Sequence, residues 1–111
     1  MATRGDISIE KGRTGTIEVT VTGVDDWAGK LAKLFASTTY GDATPDIELT
    51  GTIDTATGIV TFDIIFTDTS TLTEKRYYYE VVIYEADKSY VRNTNYGNLN
   101  LLETIKTDPT T

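Results

Sequence analysis

Hydrophobic and polar residues alternate with period two in two blocks between Gly58 and Ala86. In the first block Val60, Phe62, Ile64 and Phe66 share one side, with Thr61 and Asp63 on the other; in the second, Tyr77, Tyr79, Val81 and Ile83 share one side. Successive side chains of a strand point to opposite faces, so each block predicts a strand with one face in a core. About ten residues join the blocks, too few for a parallel return through a helix, and antiparallel pairing is expected. The same patterning, bounded by turn residues, predicts strands over 7–11, 16–22, 31–37, 47–53, 58–66, 77–85, 89–91 and 99–105. Asp54-Thr55-Ala56-Thr57-Gly58 sets an Asp at the entry and a Gly where positive φ is expected, which predicts a hairpin between the strands on either side. Residues 27–36 also fit helical spacing through Leu31, Leu34 and Phe35, but their setting among strands favours a buried strand.

Composition narrows the class. A chain of 111 residues makes one domain and buries roughly two thirds of its unfolded surface. We expect an arm over residues 1–5, a β domain over 6–106 and a tail over 107–111. The 22 threonines alternate with Ile and Val instead of clustering with Pro, so they suit exposed strand faces better than a glycosylated stalk. With neither cysteine nor histidine, the chain lacks thiolate ligands, a disulfide framework and the commonest general base, which removes most catalytic constellations. We expect no enzyme and no cofactor.

The net charge is −7, and the ten basic residues are scattered, whereas a nucleic-acid surface needs clustered cations. No apolar run matches a signal peptide or the roughly 20 residues of a membrane span. Neither nucleic acid nor membrane is an expected partner.

The order of features resembles the small immunoglobulin-like domain of tailed-phage virion proteins, in particular the N-terminal domain of baseplate upper proteins and related neck, tail and capsid-associated modules. The residues that carry it start with Asp6-Ile7-Ser8-Ile9-Glu10-Lys11-Gly12 and Thr16-Ile17-Glu18-Val19-Thr20-Val21-Thr22. Gly51 to Phe62 (GTIDTATGIVTF), Asp68-Thr69 with Leu72, and Tyr77-Tyr78-Tyr79-Glu80-Val81 follow; Gly97-Asn98-Leu99-Asn100-Leu101, Ile105 and Asp108-Pro109-Thr110 close the series. The resemblance implies an all-β, immunoglobulin-like antiparallel β-sandwich of about seven or eight strands. It also implies a non-enzymatic structural or assembly role in a phage particle, in the capsid, neck, tail or baseplate. On that reading the protein is made in the host cytoplasm and ends in the virion, docked on other virion proteins in multiple copies on a symmetric scaffold. The alternative is a carbohydrate- or cell-surface-binding β-sandwich.

Individual residues suggest where such roles would reside. Tyr78, Val82 and Tyr84 alternate with the predicted core positions, so an apolar outer sheet face is expected there as a protein contact, unless a loop covers it. Tyr77 or Tyr79 suits a tyrosine corner, its hydroxyl bonded to backbone near the start of its strand. Trp27 either plugs the open end of the sandwich or serves as a ligand or loop anchor. Asp25, Asp26, Asp42 and Asp46 are weak calcium candidates if their loops converge at one end; solvated loop acids are the plainer expectation. Arg4-Gly5-Asp6 matches a cell-adhesion tripeptide, but in an N-terminal arm it reads as coincidence.

Overall fold

The computed structural model describes residues 2–41 and 44–110. Its elements are β1 (Thr3–Arg4), β2 (Ile7–Glu10), β3 (Gly15–Thr20), β4 (Leu31–Ser37), β5 (Ile47–Asp54), β6 (Ile59–Ile64), α1 (Phe66–Thr69), β7 (Arg76–Tyr84) and β8 (Val91–Leu102). The eight strands form one curled sheet, a half-barrel in the order β1-β8-β7-β4-β5-β6-β3, with β2 also on β8. The protein is therefore all-β, with 50% strand and 4% helix. A far-ultraviolet circular dichroism spectrum should be dominated by strand; one with about a third helix, the level of an average globular protein, would exclude this fold.

The curl follows from β5, whose two halves have different neighbours. Lys33 to Ala36 of β4 pair with Thr50 to Ile47, while Gly51 to Asp54 pair with Phe62 to Ile59 of β6. The change falls at Gly51. A Cβ added there would lie 2.6 Å from Val60 Cγ1 and 2.8 Å from Phe62 Cε1, so only a glycine lets the sheet fold over the Phe62 ring at this corner. The concave side holds the core, in which Ile17, Val19, Val60 and Phe62 from one half meet Leu34, Tyr77, Val81 and Leu99 from the other.

Several expectations are corrected. The sheet is mixed, not wholly antiparallel, because β1 and β2 both run parallel to β8. Residues 89–91 and 99–105 do not form two short strands. One 12-residue strand runs from Val91 to Leu102, through an Asn-rich stretch of low strand propensity that is held by pairing on both sides. Phe66 does not extend its strand but starts α1, where the Asp68 carboxylate accepts the Ile65 N–H at 2.8 Å. The predicted strand over 31–37 is present as β4, and the hairpin at 54–58 is closed by Gly58 N–H on the Asp54 carbonyl at 2.8 Å.

Both terminal segments are tied to the sheet. Gly5 donates its N–H to the Tyr96 carbonyl at 2.9 Å, and its own carbonyl accepts the Tyr79 hydroxyl at 2.6 Å. Tyr79 thus secures the arm across 74 residues of sequence instead of making a local corner. Burial raises the pKa of the Tyr77 hydroxyl, and the Glu74 backbone opposes the rise. Arg4 pairs with Asp6 at 3.4 Å, and the tripeptide they frame is backbone-bonded to β8 and not a free loop. At the other end, Arg13 Nη1 and Nη2 donate to the carbonyls of Thr107 (3.1 Å) and Lys106 (3.0 Å).

Candidate functional site

Strand parity gives the half-barrel two convex faces of opposite character. Over β3, β6 and the second half of β5, the outward residues include Thr16, Glu18, Thr20, Thr52, Asp54, Thr61 and Asp63, a polar and acidic surface suited to water. Over β4, β7, β8 and the first half of β5, the outward positions carry Leu31, Phe35, Tyr78, Val82, Tyr84, Val91 and Tyr96, set among polar residues that include Lys33, Glu48, Glu80, Asn93 and Asn98. Apolar and aromatic side chains gathered on one sheet face, with the other face polar, mark an interaction surface.

The register arranges this face in rows. One row crosses five strands as Glu48, Phe35, Glu80, Tyr96 and Arg4, with neighbours about 4.8 Å apart. Next to it run Ser37, Tyr78 and Asn98. From the loop after β4, Tyr40 stacks on Tyr78 with ring centroids 4.9 Å apart and planes at 22°. Both rings remain open to solvent, Tyr40 at 70% and Tyr78 at 42%. Together with Phe35, Pro45, Glu48 and Glu80 they line a groove of about 290 Å³. Lys33 Nζ reaches Glu48 at 3.0 Å, and this bond holds the lysine pKa above its ordinary value. Glu80 accepts instead from a neutral donor, Asn93 Nδ2, at 2.6 Å.

The sequence-predicted interface trio is only partly on this surface. Tyr78 stands in the groove. Tyr84 is half-buried, in a row with the exposed Leu31 and Val91 at the far end of the face. Val82 is a correction: at 9% exposure it is buried, between Lys33 and Asn93 on the two flanking strands. Its burial therefore calls for no partner protein, because neighbouring side chains supply it.

Trp27 is half-buried and packs on the core, its Cζ2 3.7 Å from where a Cβ of Gly58 would stand. It fills the end of the half-barrel, the plainer of its two readings. Asp25 and Asp26 do not converge with Asp46 at one end of the fold. Asp25 and Asp26 precede β4 and Asp46 precedes β5, whose start pairs with the end of β4, so they lie about 20 Å apart along a seven-residue strand. Asp26 is engaged by the Ala28 N–H at 3.0 Å. Asp42 lies outside the described residues. Among the described residues no three acidic side chains gather to hold a metal ion.

Phe35, Tyr40, Glu48, Glu80 and Tyr96 were missed from sequence. Strand parity was enough to find Phe35, since Leu31, Lys33 and Phe35 alternate with the buried Ala32, Leu34 and Ala36. Tyr96 had no such signal, because the turn-like stretch around it did not read as strand. Comparison with protein-family models and with curated proteins finds no match to this chain.

Proposed function

We propose that this chain is a non-enzymatic docking module, an immunoglobulin-like β-sandwich that serves as a structural or assembly component of a tailed-phage particle. The observation that carries the docking reading is the contrast between the aromatic convex face around Tyr40 and Tyr78 and the threonine-rich acidic one. The connectivity supports the immunoglobulin-like part. Strands β3, β6 and the second half of β5 stand in the relation of strands B, E and D, and β4, β7 and β8 in that of C, F and G. The phage context rests on the sequence resemblance. In that setting other virion proteins are the partners, and multiple copies on a symmetric scaffold turn weak contacts into firm attachment.

The double change Tyr40→Ser, Tyr78→Thr tests the docking face. Both rings are exposed, so the isolated domain should keep its spectrum and lose little stability. Removing two aromatic anchors should weaken attachment to particles by about tenfold or more. Undiminished incorporation of a folded double variant would remove this face from consideration.

The carbohydrate-binding alternative moves from Trp27 to Tyr40, whose exposed ring suits stacking on a sugar. Glycan-array hits abolished by Tyr40→Ser, together with absence of the protein from particles, would favour it.

A further inference from the structure

We propose that Glu80 and the aromatic rings around it form a socket for a cationic side chain, an arginine or lysine, presented by the docking partner; this rests on the reading of the face as a protein contact. Glu80 sits between Phe35 and Tyr96 in its cross-strand row, and Tyr78 precedes it by two residues on the same face. Tyr40, stacked on Tyr78, completes the aromatic wall. A carboxylate framed by aromatic rings matches a cation twice, once by charge and once through the negative ring faces.

The charges nearby leave this place open. Lys33 is committed to Glu48 at 3.0 Å, and Arg4, at the far end of the row, to Asp6 at 3.4 Å. Glu80 accepts the neutral amide of Asn93 and, among the described residues, is paired with no cation. Among the described residues the groove is lined by two carboxylates and no basic residue, in a chain of net charge −7. An acidic or purely apolar partner segment would leave Glu80 desolvated without a counter-charge, which a docked interface disfavours. The protein already makes one such contact within itself, Lys30 Nζ lying 4.7 Å from the Tyr90 ring centre.

The test is an amide chemical-shift titration of the isotope-labelled protein with N-acetyl-arginine amide, and in parallel with N-acetyl-norleucine amide and a methyl glucoside. Arginine amide should give saturable shifts at Phe35, Tyr78, Glu80 and Tyr96 that shrink with added salt, and norleucine amide should not. Glu80→Gln keeps an acceptor for Asn93 and should weaken arginine binding by about tenfold. Glu18→Gln makes the same charge change on the opposite convex face and should leave binding unaltered. Equal losses in the two variants, equal shifts with norleucine, or shifts with the glucoside alone would overturn the socket. The wild-type comparison of arginine with norleucine decides the matter even if Glu80→Gln fails to fold. If the Tyr40/Tyr78 variant drops out of particles while arginine leaves the wild type unmoved, the docking face stands and the socket is rejected.

Discussion

Phe62→Ala should lower stability by about 3–5 kcal/mol, the largest loss expected from any single core truncation here. The ring is fully buried and lies between Ile17 on β3 and Gly51 on β5. Gly51 has no side chain to lean into the space, so the cavity should stay open and the cost should fall at the upper end of its range. Such a loss is a large share of the roughly 5–15 kcal/mol that holds a domain together. Equilibrium unfolding in urea would measure it as a drop in midpoint. The same geometry predicts non-additivity. Gly51→Ala alone should destabilise, since its new Cβ meets Phe62 and Val60, but part of that cost, about 1 kcal/mol, should vanish when Phe62 is already alanine. Strictly additive costs would mean that the ring is not what crowds position 51.

Gly97→Ala should detach the N-terminal strand from β8. A Cβ at position 97 would stand 2.1 Å from the Gly5 carbonyl oxygen and 2.8 Å from its carbon, backbone atoms that cannot turn aside. The arm then has to leave, taking with it the acceptor of the Tyr79 hydroxyl and the Asp6 carboxylate that accepts Asn98 N–H at 3.1 Å. A buried hydroxyl without a partner costs about 1–3 kcal/mol, and the loss of the β1 pairing adds to it. Proton titration reports the event directly. In the intact fold burial raises the Tyr79 pKa above 10.0, Asp6 raises it further and Arg4 opposes the rise. A phenol whose pKa is raised on folding contributes stability that is present below its unfolded value and is lost as pH climbs through the folded one. Tyr77 and Tyr79 should therefore lag the exposed tyrosines in an alkaline absorbance titration of the wild type, and only Tyr77 should lag in Gly97→Ala. A persistent lag at Tyr79 would show that the arm had stayed.

Period-two patterning made most of the strands legible, because burial on one face imposes it. The alternation at Ile17 and Val19, at Ile47 and Leu49, at Val60 to Ile64 and at Tyr77 to Ile83 locates four strands, β3, β5, β6 and β7, and most of the core. Parallel pairing of β2 with β8 was not legible, since no local feature of Ile7–Glu10 distinguishes a parallel partner from an antiparallel one. Of the aromatic face, Tyr78 and Tyr84 were legible. The others depend on long-range register, which brings Glu48, Phe35, Glu80 and Tyr96 into one row from four strands. Val82 misled because an apolar residue on an outer face reads as exposed, whereas the lysine and asparagine that flank it were identifiable only from the pairing.

The parallel contact of β2 with β8 also sets an order of events in time. Asp6 and Asn98, which bond across it, are 92 residues apart, so the first strands of the chain have no partner until the last has been made. At a synthesis rate of about 5–20 residues per second, β2 waits for several seconds before β8 is made. Meanwhile the β5–β6 hairpin, with β3 along it, has all its strands available. Pairing of β2 with β8 is then a late, long-range step, with the slow kinetics expected of non-local strand pairing. The open edge of β7 in the interval is where the nascent chain is most exposed to pairing with the wrong strand.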